Sequence, residues 1–174
     1  MQRSLITKAI AAYQNAPCRM FTMSAPESVD FPGRADLLVG YNVLPELWRR
    51  AHGDRAYVTA DLARAGEGFF YVKIDGSSGL AGSRFADREE IEEALDEALA
   101  EAGVGCVIGA GTGRRYSYVD LALFDPERGS DIVRKVLREG RVPKRAWICR
   151  FGLSDEQPVG VWNDSPPAPG QKQG

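Results

Sequence analysis

Hydrophobic and polar positions alternate most clearly in the second half of the chain. FFYVKID (69–75) mixes aromatic and β-branched residues with a period of two, which predicts a strand. The Gly- and Ser-rich stretch 76–86 reads as a loop. Asp87 is then a helix N-cap, and Glu90 three residues on completes a capping-box-like pair. Ile91, Ala94, Leu95, Ala98 and Leu99 follow a helical period until Gly103 stops it. VGCVIG (104–109) is a short apolar strand, GAGTGRR (109–115) reads as a glycine-rich turn, and YSYVDLALF (116–124) is the strongest strand in the chain. Asp125 and Pro126 open a second helix with Ile132, Val133, Val136 and Leu137 as its apolar stripe. Gly140 and Pro143 end it, and RAWICRF (145–151) is a last strand. This βαββαβ order predicts an α+β, ferredoxin-like fold. Both helices would cover one face of a four-stranded antiparallel sheet, with its first and third strands central.

The first 67 residues are patterned less sharply. Leu5, Ile6, Ala9, Ile10 and Tyr13 give a helix over about 3–15. A strand near 20–23, a loop over 25–34, a strand within 35–41 and a short helix from Pro45 follow. Thr59 as a cap, Asp61 in the first turn and Gly66 as a stop favour a short helix over 56–65. The expected organisation is an N-terminal α/β extension (1–67) packing on a core (68–152), then a C-terminal strap (153–164). The Pro/Gly/Gln-rich end (165–174) is expected to be a disordered tail.

Composition narrows the chemistry. The chain of 174 residues has 22 Lys and Arg against 24 Asp and Glu, a balance that argues against a generally basic nucleic-acid binder. Three distant cysteines give neither a zinc spacing nor a redox pair and suit a reducing compartment, hence a cytoplasmic location. Cys106 and Cys149 stand in apolar runs as core residues. No stretch approaches the ~20 apolar residues of a membrane helix, so no membrane association is expected. The single histidine, His52, has no nucleophile elbow or second histidine to work with. No metal or cofactor is expected, and an enzyme is disfavoured.

The small net charge hides a strong segregation. Residues 87–101 hold eight acids and one base, and residues 128–150 hold eight bases and two acids. The bland reading is that the two helices lie side by side and pair across a seam of exposed charges. The functional reading makes Glu89, Glu93 and Asp96 a patch that captures a basic partner. The carboxylates of this helix are placed on its solvent side, with none in an apolar setting that would tune a general acid.

GAGTGRR fails both phosphate-loop tests. No glycine is followed by Lys as in a Walker A loop, and a strand rather than a helix follows the glycines. Exposed amides with Arg114 and Arg115 remain a candidate anion site. Strand alternation puts Tyr71 and Lys73, with Tyr116, Tyr118 and Asp120, on the helix-free face. An open face of this kind is how RNA-recognition motifs stack bases, but the basic–Gly–aromatic run of such motifs is missing here. The preferred expectation is that residues 1–67 cover that face and bury its aromatics as a second core, because an open patch is a liability.

Two functions follow. The first is a non-enzymatic protein-binding module, of inhibitor, antitoxin or immunity type, that uses charged helix surfaces. The alternative is an anion- or nucleotide-binding domain, with a catalytic role open to it, at the 109–115 turn with Tyr116, Tyr118 and Asp120.

Overall fold

The computed structural model describes residues 2–23, 38–51, 58–76, 79–152 and 157–168. Its chain order is α1 (Gln2–Gln14), β1 (Arg19–Met23), β2 (Leu38–Asn42), α2 (Pro45–Ala51), a 3-10 turn (Ala60–Leu62), β3 (Gly68–Asp75), α3 (Arg88–Glu101), β4 (Gly105–Gly113), β5 (Tyr116–Leu123), α4 (Pro126–Glu139), β6 (Ala146–Arg150) and β7 (Val159–Gly160). The architecture is α+β. Among the described residues there are four α-helices and one seven-stranded, wholly antiparallel sheet in the order β1-β2-β4-β5-β3-β6-β7. The expectation of four strands is corrected. β1 and β2 extend the sheet beyond β4, and β7 extends it beyond β6.

The local signals of the second half translate into observed caps. The Asp87 side chain accepts from the Glu90 amide, and Glu90 reaches back to the Ala86 amide. Asp125 accepts from the Arg128 amide, with Pro126 opening α4. Gly103 takes φ +67, as the residue after a helix should. At the end of α4 the left-handed residue is Arg141 (φ 56), not Gly140. Gly140 is needed for space instead, because the Phe85 ring lies where its Cβ would be. Thr59 precedes the 3-10 turn, but its side chain makes no capping bond.

Each sheet face carries its own core. On one face Phe70, Val72 and Ile74 of β3 and Val119, Leu121 and Leu123 of β5 pack against Ile91, Leu95 and Leu99 of α3 and Val133 and Leu137 of α4. On the other, Phe69, Tyr71, Tyr116, Tyr118 and Trp147 pack against Ile10 and Tyr13 of α1 and Leu47 and Trp48 of α2. The aromatic face is therefore covered, and the coverage comes from the N-terminal helices. Ala168 also joins this second core, and Pro166 accepts a hydrogen bond from the Trp147 indole (2.6 Å). The start of the Pro-rich C-terminal stretch is thus fixed to the body, through 168.

The glycine-rich reading needs correction. Gly109–Gly113 are not a turn but the second half of β4, and the turn to β5 is only Arg114–Arg115. A bulge between Val107 and Gly109 shifts the register, so Gly109 opposes Asp120 and Gly111 opposes Tyr118. On the other edge Gly40 of β2 opposes Gly111. A Cβ on Gly40 would fall 2.4 Å from the Ala110 carbonyl oxygen, and one on Gly109 2.4 Å from that of Tyr41. The glycines serve close strand approach, not positive φ.

Candidate functional site

The residues singled out from sequence fall into three places. Tyr71, Lys73, Tyr116, Tyr118 and Asp120 do come together, on the covered face of the two central strands. Tyr71 opposes Asp120 and Lys73 opposes Tyr118. Burying charged groups is costly without partners, and Asp120 and Lys73 both have them. Asp120 is fully buried and accepts from Asn42 Nδ2 (2.9 Å) and Trp48 Nε1 (3.1 Å). The Lys73 ammonium, 3% exposed, sits 4.3 Å from the centre of the Tyr116 ring. Asp75, at the same end of β3, accepts from Arg145 Nε (2.6 Å). This face is a polar–aromatic core rather than an open platform. Arg114 and Arg115 stand apart on the exposed hairpin tip, where Arg115 reaches Asp75 at 3.5 Å. The Gly109–Gly113 backbone is built into ladders with β2 and β5, which removes the free amides an anion nest requires. His52 lies outside the described residues.

The third place is α3. Glu89, Glu90, Glu93, Glu97 and Glu101 are exposed, but Asp96 and Glu92 turn inward. Asp96 accepts from the Val107 amide (2.8 Å) and from Gln14 Nε2 (2.9 Å). It caps the stretch of β4 edge that β2 does not reach. Asp96 is therefore a structural tie between α1, α3 and β4, which corrects its grouping with Glu89 and Glu93.

Glu92 corrects the expectation that every carboxylate of this helix faces solvent. It is 7% exposed. Arg88 Nε donates to Oε1 (2.6 Å) and the Tyr41 hydroxyl donates to Oε2. Arg88 also donates to Thr112 Oγ1 (2.6 Å), so the group binds α3 to both β2 and β4. Burial, with the Asp120 and Glu93 charges adding to it, pushes the Glu92 carboxyl up to about 7 despite the neighbouring guanidinium. Glu92 borders a cleft of about 290 Å³ whose other walls include Tyr13, Gln14, Cys18, Tyr41 and Glu93. Burial followed by the Glu92 charge raises the exposed Cys18 thiol above its ordinary value, so it is not an activated nucleophile. Across the second core, Tyr13 donates to Glu67, which also accepts from the amides of Arg64 and Ala65. Burial alone would raise Glu67, but these donors together hold it below the usual range.

Sequence reading missed Glu92 and Tyr41 because the contact between them joins elements far apart in the chain. The available signal was the Arg88–Glu92 spacing, which stacks the two on one helix face.

The seam between α3 and α4 is not the ladder of opposite charges that was expected. Among the described residues no ion pair joins the two helices. The groove between them carries Glu97, Glu101 and Glu139, with Arg84 as its one base. Four of the eight bases of the 128–150 segment, Arg134, Arg138, Lys144 and Arg145, are used elsewhere. Arg138 donates to the Val161 carbonyl (2.6 Å) and to Asn163 (2.9 Å), Arg134 reaches Asn163 (3.3 Å), and Lys144 pairs with Asp164 (2.7 Å). Among the described residues no group of acidic, cysteine or histidine side chains has metal-site geometry, and no helix is long and apolar enough to cross a membrane. No family model, curated protein or solved structure matches the chain.

Proposed function

We propose that this chain is a cytoplasmic protein-binding module that presents the outer face of α3 to a basic surface on a partner protein. One observation carries the reading. Glu89, Glu93 and Glu97 stand exposed at successive turns, and among the described residues none is ion-paired to α4, whereas Glu101 shares a cleft with Arg128 of α4. Like charges at this spacing each cost a helix roughly 0.2–0.5 kcal/mol. A stripe kept at that cost is most useful to a partner that neutralises it. Small inhibitor, antitoxin and immunity-type proteins work through charged surfaces of this kind, and that is the class the reading favours.

The strand order β4-β5-β3-β6, with α3 and α4 packed on one side, supports reading 68–152 as a ferredoxin-like core to which β1, β2 and β7 are added. Fold alone does not give function, so the weight stays on the stripe. The test is capture of a partner from an extract of the source cell at low salt. The Glu89→Lys/Glu93→Lys/Glu97→Lys chain should lose it with its circular dichroism unchanged. A partner retained by that variant sinks the proposal.

A further inference from the structure

The helical layer over α3 and α4 stops short of the sheet it covers. Register places Met20, Thr22, Val39, Tyr41 and Thr112 on the same side of the sheet as these helices. Met20 pairs with Tyr41, Thr22 with Val39, and Val39 with Thr112, while Phe21 packs against Trp48 on the opposite side. Arg88 and Glu92 reach Thr112 and Tyr41 from α3, which fixes that side independently. Among the described residues no helix lies over β1 and β2 there. Met20 is 74% exposed and Val39 49%, so an apolar floor is open to solvent. Two strand spacings of about 4.8 Å add up to roughly one helix diameter. The wall of this trough is α3. Glu93 borders the cleft beside Tyr41, and Glu89 stands one turn earlier on the same face.

We propose that this trough receives one amphipathic α-helix of the partner, its apolar stripe on Met20 and Val39 and its Lys/Arg flank along Glu89 and Glu93. The inference rests on the acidic-helix reading and specifies where the partner lies and what shape it has. Charge complementarity chooses the occupant. A helix laid beside α3 must place one flank against those carboxylates, and only a basic flank meets them favourably. Glu97 and Glu101 border the opposite, α4-facing groove and would not touch it.

The test uses the full chain and a synthetic Leu/Lys peptide of about 18 residues, long enough for five helical turns. A Leu/Glu peptide of the same pattern is the control. Amide chemical shifts should move in 19–23, 38–42 and 88–93 with the Leu/Lys peptide. Either Met20→Asp or Val39→Asp, both at exposed positions, should weaken binding at least about tenfold, as should Glu89→Lys/Glu93→Lys. Glu97→Lys/Glu101→Lys should leave affinity within about twofold. Shifts confined to 97–101 and unaffected by Val39→Asp would overturn the trough while sparing the acidic-helix reading. No binding at low salt would overturn the trough, as would equal binding of the Leu/Glu peptide. Nuclear Overhauser contacts from Met20 and Val39 to residues 24–37 would give the floor to the chain itself and overturn it too.

Discussion

The acidic helix α3 and the basic segment 128–150 carry nearly opposite charge, yet the molecule uses them differently. Four of the eight bases are turned to internal work. Arg138 and Arg134 hold Asn163, Lys144 holds Asp164, and Arg145 neutralises the buried Asp75. These contacts fasten the chain after β7 to α4 and to the segment before β6, and that segment to the end of β3. On α3 only Asp96 and Glu92 face inward, and the rest of the acids meet solvent. Two nearly equal and opposite runs in a sequence thus need not be partners. Half of one works in the scaffold, and most of the other is surface.

Breaking the scaffold side should have the largest effect. Arg145→Ala removes the 2.6 Å partner of Asp75, whose side chain is 5% exposed, and leaves Arg115 at 3.5 Å. It should cost about 3 kcal/mol, read as a lower denaturant midpoint at unchanged slope. A loss below about 0.5 kcal/mol would place Arg145 with the surface charges instead. The inward acid comes next. Asp96→Ala strands the Val107 amide at a sheet edge and should cost about 2 kcal/mol. Stability unchanged by Asp96→Ala would return that residue to the outward group.

Glu92 sharpens the comparison through pH. Its carboxyl is raised in the folded chain from an ordinary value near 4.5 to about 7. A raised acid stabilises the fold below about pH 4.5 and loses that contribution as pH rises through 7. The Glu92→Gln chain should therefore gain on the wild type between pH 5 and 8, by roughly 1.5 kcal/mol at the upper end. Parallel melting curves for the two chains across that range would show that Arg88 and Tyr41 cancel the effect of burial. Smallest of all, Glu93→Gln or Glu97→Gln should stabilise by about 0.3 kcal/mol at low salt and by nothing at 1 M. A loss of stability on either change would mean the stripe is internally paired.

How much of this was readable depended on whether neighbours in space were also neighbours in pattern. Asp87, Asp125 and Gly103 act through atoms a few residues away, so their roles followed from local spacing. Strand alternation separated Phe70, Val72 and Ile74 from Phe69, Tyr71 and Lys73 correctly, because a two-residue period leaves no other choice. The glycines of β4 were misread for an equally physical reason. Glycine signals a turn through its backbone freedom, whereas here it is required by a distant strand, β2, pressing close. Glu92 belongs with them. On the helix alone it flanks the apolar stripe, and its partner Tyr41 arrives from far away in sequence. The stretch 109–113 was read as a turn for the same reason: its ladder partner β2 is far away in sequence.

That glycine seam also bears on the order in which the sheet assembles. β4 and β5 are joined by two residues and meet early at little entropic cost, whereas β2 must find β4 across a long intervening chain. The β1–β2 ribbon is then the last part of the sheet to zip on and the first to peel away. Native-state amide exchange should report this as a hierarchy, with Val39 and Tyr41 opening well before Val119 and Leu121. A methyl group at Gly109 would stop the ribbon at the door while leaving the β4–β5 hairpin able to form.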